Sequence, residues 1–206
     1  QGNFTFATQL SSVILIFTAY FIPIFMREIS LYSSLKQNNK IKRLVIKSGK
    51  ILLSITVFLS IYFVFHAEIL IELLVGSKFS NAYLPVSLML AYPIFQTIGQ
   101  LNATVFYSLN KTSLYSKIGY FNNFIGLIIT YILIAPSTFI IPGFSLGSFG
   151  LAISTLSLSI LSTNILIFFS YNLINLSFKN FIVHEIVVIS FYIINILLSK
   201  VVALFL

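Results

Sequence analysis

The chain has 206 residues, 58% of them hydrophobic and 8% charged, with 22 phenylalanines and a mean hydropathy of +1.04. A soluble domain is typically about 45–50% apolar and about 25% charged, so the composition excludes a soluble globular fold, a disordered tail and a nucleic-acid-binding module. The net charge of +8 comes from 12 Lys and Arg against 4 acidic residues; in a membrane protein such an excess sets topology, because cytoplasmic loops collect basic residues.

A membrane-crossing helix needs about 20 apolar residues. By that measure the chain is an all-α integral membrane protein with about six transmembrane helices. The first span runs from Phe4 to Met26, with Pro23 near its end. The second begins near Leu44, inside a basic segment, and reaches Phe65; Lys47 and Lys50 are expected to snorkel at the interface. A third, the most polar, covers Ala82 to Leu109. Leu114 to Ile134, Leu146 to Ser170 and Ile182 to Phe205 complete the set. Together they form a single membrane-embedded helical domain over residues 1–206, with no loop long enough to fold alone. The start at Gln1-Gly2-Asn3, without Met or a charged leader, reads as a fragment of a longer protein.

The connectors differ in charge. Arg27, Lys36, Lys40, Lys42, Arg43, Lys47 and Lys50 fall between the first two spans, Lys111 and Lys117 between the third and fourth, and Lys179 between the last two. Ten of the 12 basic residues thus share one side, expected to be cytoplasmic, while Lys78 and Lys200 lie opposite. On the outer side, Ala67 to Val75 reads as a short amphipathic helix ending at Gly76, with Glu68 and Glu72 on one face. The second outer connector, Ala135 to Phe144, carries Pro136, Pro142 and Gly143.

Polar residues inside spans are the candidates for function. Gln96, Gln100 and Thr104 recur at i, i+4 and i+8, so one face of the third span must meet another helix or water. That face either lines a cavity that bonds sugar hydroxyls or glues helices together. Pro93 and Gly99 are expected to loosen the same helix. Arg27, next to Glu28, either anchors the first span or faces a cavity that attracts an anionic substrate. Lys111 and Lys117 bracket a tight turn, as topogenic residues or as phosphate contacts. The run from Lys36 to Lys50 sets topology or engages anionic lipid headgroups. His66 and His184 fall at opposite faces and are read as interfacial. The carboxylates Glu28, Glu68, Glu72 and Glu185 all fall near span ends, leaving the midplane without an acid for ion coupling. No catalytic, cofactor or metal constellation is present in the sequence, so an enzyme is not expected.

Several stretches together resemble the polysaccharide (O-antigen type) flippase family of the multidrug/oligosaccharidyl-lipid/polysaccharide exporter superfamily. They are Gly2-Asn3-Phe4 leading to Pro23-Ile24-Phe25-Met26-Arg27-Glu28, the segment Ala67 to Phe79 followed by Ala82, Gln96 to Thr112 with its Lys-Thr turn, and Pro142-Gly143 with Gly147, Gly150 and Ala152. The resemblance implies a two-bundle exporter fold, related to multidrug/toxin extrusion transporters, with this chain as the C-terminal half of a longer transporter. It also implies flipping of undecaprenyl-pyrophosphate-linked oligosaccharide repeat units across the bacterial inner membrane, for surface polysaccharide synthesis. Substrate contacts would then involve Arg27, Gln96, Gln100, Thr104 and Lys111, with anionic lipids and other polysaccharide-assembly membrane proteins as partners and no nucleic acid. The rival readings are a lipid II flippase, a cation-coupled drug exporter, a membrane glycan polymerase and a non-catalytic membrane subunit.

Overall fold

The computed structural model describes residues 2–76 and 82–177, with 186, 190 and 192–194. The described residues are helical, with no strand. The elements are α1 (Gly2–Ser34), α2 (Asn38–Phe65), α3 (Ala67–Val75), α4 (Tyr83–Met89), α5 (Tyr92–Ser108), α6 (Thr112–Ile134) and α7 (Gly147–Leu173). Four of them, α1, α2, α6 and α7, are long and apolar enough to cross a membrane. The expected last span, 182–205, lies largely outside the described residues, as do Lys78, Lys179, His184, Glu185 and Lys200.

Side-chain hydrogen bonds give the helix directions. Ser11 of α1 reaches the Met89 carbonyl, Thr18 meets Thr97, and Ser108 reaches the Met26 carbonyl. Numbers rise together along both chains, so α1 runs parallel to the α4–α5 pair over its length. Thr163 and Ser170 of α7 pair likewise with Phe95 and Asn102 of α5. Asn122 with Ser162 and Thr130 with Ser154 make α6 antiparallel to α7. The chain therefore alternates in direction, and α1, α5 and α7 all finish at one end.

That shared end carries all the described basic residues: Arg27, Lys36, Lys40, Lys42, Arg43, Lys47 and Lys50 on the α1–α2 hairpin, Lys111 and Lys117 at the α5–α6 turn. The hairpin outreaches its neighbours. Ser108 at the end of α5 is level with Met26, and α1 continues from there to Ser34, about 12 Å farther at 1.5 Å per residue. The expected stop at Met26 is thus only where α1 passes the end of α5, since charge alone does not end a helix. A single backbone device closes α1, α5 and α7. Lys36, Asn110 and Asn175 each take a left-handed φ of 54°, and the next residue's N–H bonds back to Tyr32, Phe106 and Tyr171 respectively. This is the Schellman motif, which supplies donors to the last helical carbonyls.

Span three of the sequence reading is broken into α4 and α5, at Leu90-Ala91. Pro93 is the cause: it has no N–H to give the Met89 carbonyl four residues back. In an apolar medium that carbonyl needs another donor, and Ser11 Oγ supplies it at 2.8 Å. Ala91 N–H bonds to Leu88 rather than to Ser87, and the freed Ser87 carbonyl accepts from the Tyr192 hydroxyl at 2.6 Å. The break is thus closed from two other parts of the chain.

Beyond the break, α5 is the central element. It packs on α1, α2, α6 and α7, and 12 of its 17 residues are buried. Gly99 allows the closest approach: a Cβ there would sit 3.0 Å from Thr163 Oγ1. The apolar core has two main parts. Ala7, Leu10, Ile14, Val86, Met89 and Leu90 fill one end; Phe25, Ile29, Val45, Leu101, Val105 and Ile167 fill the basic end. Helix α6 buries only Ile118 and Gly126, so its Phe121, Phe124 and Ile128 form an exposed apolar rim. That is the pattern of a helix facing lipid.

At the other end, α3 is the amphipathic helix the sequence predicts. Ala67 and Ile71 are buried while Glu68 and Glu72 are exposed, and Gly76 stops it at φ 84°. His66 sits at the α2–α3 junction with its ring edge-on to Tyr62. The 135–146 loop folds back on α6: Phe144, Leu146 and Ser145 N–H groups bond to Ile132, Leu133 and Ala135 carbonyls. A Cβ on Gly143 would lie 2.5 Å from the Ala135 carbonyl oxygen, so only glycine fits there.

Candidate functional site

A groove of about 570 Å³ opens between α5, α6 and α7, within the roughly 300–1,000 Å³ usual for small-molecule sites. Tyr92 and Gln96 line it from α5, Asn122, Asn123 and Thr130 from α6, and Thr155, Ser159 and Ser162 from α7. Leu127, also on its wall, is 72% exposed, so the groove is open rather than sealed. Asn122 and Asn123 stand at the middle of α6, a helix about 35 Å long at 1.5 Å per residue. The groove is therefore at mid-depth of the bundle, and every polar group on its wall is an uncharged amide or hydroxyl.

The helices place these groups by period. Thr155, Ser159 and Ser162 recur at i, i+4 and i+7 along α7, one face of a helix. Asn122 and Thr130 are eight residues apart on α6. Gly126, between them, keeps the two helices close, with Leu158 3.1 Å from where its Cβ would be. Some of the polar groups satisfy each other: Asn122 Nδ2 donates to Ser162 Oγ at 3.0 Å. Others do not. Asn122 Oδ1 and Ser159 Oγ are buried atoms without a hydrogen-bond partner, and Ser159 is only 8% exposed. Gln96, half-buried, makes no side-chain hydrogen bond among the described residues. Unsatisfied buried polar atoms are costly, so this wall is stocked with unused hydrogen-bonding capacity.

The structure separates the residues that the sequence singles out. Gln96 is in the groove. Gln100 lies one turn nearer the basic end on the same face, half-buried and likewise without a side-chain partner among the described residues. Thr104 is 2% exposed and its hydroxyl donates to its own helix, at the Leu101 carbonyl. The bonds that tie α5 to its neighbours come instead from the Thr97, Asn102 and Ser108 side chains and the Phe95 carbonyl. Arg27 and Lys111 are exposed at the basic end, level with each other across the Ser108–Met26 contact, and neither lines the groove. No ion pair joins Arg27 to Glu28 among the described residues.

The residues missed by sequence reasoning are Asn122, Asn123, Thr130, Thr155, Ser159 and Ser162. A signal existed in the hydroxyl spacing on α7. It is weak, because serine and threonine in helices commonly bond their own preceding turn, as Thr56 and Ser190 do here. No protein-family model matches the chain, and neither curated proteins nor solved structures provide a match.

Proposed function

We propose that the chain is part of a transporter that flips undecaprenyl-pyrophosphate-linked oligosaccharide units from the inner to the outer leaflet of a bacterial inner membrane. The observation that carries the reading is the uncharged groove at mid-depth, with Gln96, Asn122 Oδ1 and Ser159 Oγ unpaired on its wall. A glycan crossing hydrocarbon must exchange its water hydrogen bonds for others, and amides and hydroxyls are the groups that match sugar hydroxyls in both donor and acceptor roles. In this reading the basic end is cytoplasmic, and the broken α4–α5 pair crosses alongside α1 as a further span. With residues 182–205 the total becomes six, within an exporter fold of two opposed bundles. A discontinuous helix beside the path is a recurrent feature of transporters.

The test compares cells carrying Gln96→Leu with Asn122→Leu, or Ser159→Ala alone, against wild type. Export of the lipid-linked glycan should fall while the amount of folded protein in the membrane holds. Unchanged export with both variants folded would leave the groove as a packing feature. Survival of glycan export alongside loss of drug resistance would favour a drug exporter.

A further inference from the structure

One face of α2 changes character along its length. Lys40, Arg43, Lys47 and Lys50 are all exposed and recur at intervals of three, four and three. At about 100° per residue they fall within an arc of about 80°. The stripe continues up the helix through Ile51, Phe58, Tyr62 and Phe65, which are 45%, 69%, 53% and 49% exposed and widen its arc to about 120°. The opposite face, with Ile41, Val45, Leu52 and Thr56, is buried in the bundle. No acidic side chain occurs anywhere in α2. The stripe thus has a cationic segment about 15 Å long at the basic end and an apolar segment toward the middle of the bundle.

We propose that this stripe is a binding site for an anionic phospholipid of the surrounding bilayer. Arg43, Lys47 and Lys50 would hold its phosphate, and one acyl chain would lie along Ile51, Phe58, Tyr62 and Phe65. Charge complementarity selects the occupant. Four clustered cations repel a second copy of the same face, and the stripe opens to the outside of the bundle, away from the groove between α5, α6 and α7. Its order, cations then apolar residues from the bundle's end inward, is that of a lipid in the leaflet. Topology alone would require neither the common face nor its apolar continuation, since Lys42, in the same run, points elsewhere. The inference depends on membrane embedding and is independent of the transport reading.

The chain has no tryptophan, so Phe58→Trp places a sole tryptophan on the stripe, whose emission is excited selectively at wavelengths beyond tyrosine absorption. Phe124→Trp, on the exposed rim of α6, is the control. Gly49 faces Leu101, and Asn122 pairs near Phe95 through Ser162 and Thr163, which puts both positions at a similar depth. The full chain is reconstituted in vesicles of mixed phosphatidylglycerol and phosphatidylcholine, with one or the other brominated as quencher. Brominated phosphatidylglycerol should quench the F58W protein beyond its mole fraction, and the F124W protein in proportion to it. Adding R43Q/K47Q should lower the selectivity at position 58 at least fivefold, because each interfacial cation contributes roughly fivefold. Adding K36Q/K42Q removes the same charge off the stripe and should change it less than twofold. Equal quenching by the two lipids at position 58, or selectivity that survives R43Q/K47Q, overturns the proposal. Equal losses in both double variants would assign the effect to net charge and also overturn it.

Discussion

Replacing Ser11 with alanine tests how the chain tolerates a broken helix in an apolar medium. The Ser11 hydroxyl proton is shared between its own Ala7 carbonyl, at 2.6 Å, and the Met89 carbonyl, at 2.8 Å. Ala7 keeps its helical N–H partner when the hydroxyl is lost. Met89 does not, because Pro93 has no N–H to offer. An interhelical hydrogen bond within a membrane protein contributes about 0.6 kcal/mol on average and up to about 1.7. Ser11 is 1% exposed and Met89 is 1% exposed, so water cannot substitute and the upper half of that range applies: about 1–1.5 kcal/mol. The assay is reversible unfolding in mixed micelles, titrated with a denaturing detergent. The decisive step is a double-mutant cycle. Pro93→Ala restores a main-chain donor to Met89, so Ser11→Ala in that background should cost under about 0.5 kcal/mol. An equal cost in both backgrounds would refute the reasoning, because Ser11 would then act through packing alone.

Other substitutions probe the turns and the groove. Lys36→Gly removes a non-glycine residue from the left-handed region and should stabilise the hairpin turn by about 0.5–1 kcal/mol, read in the same titration; Asn175→Val should destabilise by a comparable amount. Gly143→Ala forces a methyl group against the Ala135 carbonyl and should cost about 1–3 kcal/mol, with the 135–146 loop becoming sensitive to protease. Ser159→Ala deletes a hydroxyl that has no partner, so stability should change by less than about 0.5 kcal/mol while glycan export falls; a clear loss of stability would show that the hydroxyl is bonded within the fold.

Much of the scaffold was legible in the sequence. Apolar run length located α1, α2, α6 and α7, and Glu68 and Glu72 on one face before Gly76 located α3. The charge asymmetry placed the basic residues at one end. The inner helix ends were less legible, because α1 runs on past its apolar stretch to Ser34 and α2 already begins at Asn38, within a basic run whose lysines and arginine favour helix. What stops α1 is a left-handed Lys36, a residue without glycine's signature. Pro93 marked a loosened helix, but the donors that repair the break come from Ser11 and Tyr192, at sequence separations of 78 and 105. The Gln96, Gln100 and Thr104 stripe was a correct statement about one helical face and a poor guide to partners. Thr104 turns to its own backbone, Gln100 lies below the groove, and the opposing wall comes from α6 and α7, whose hydroxyl and amide spacing gains meaning only when the helices are brought together.

The most direct test of the transport account is the leaflet location of the lipid-linked glycan in cells lacking the gene. The account predicts complete undecaprenyl-linked repeat units accumulating on the cytoplasmic side, with export restored by the wild-type gene and not by a folded Gln96→Leu, Asn122→Leu variant. If complete units still reach the outer leaflet and only polymer length changes, the flippase assignment is wrong and a polymerase or assembly role takes its place.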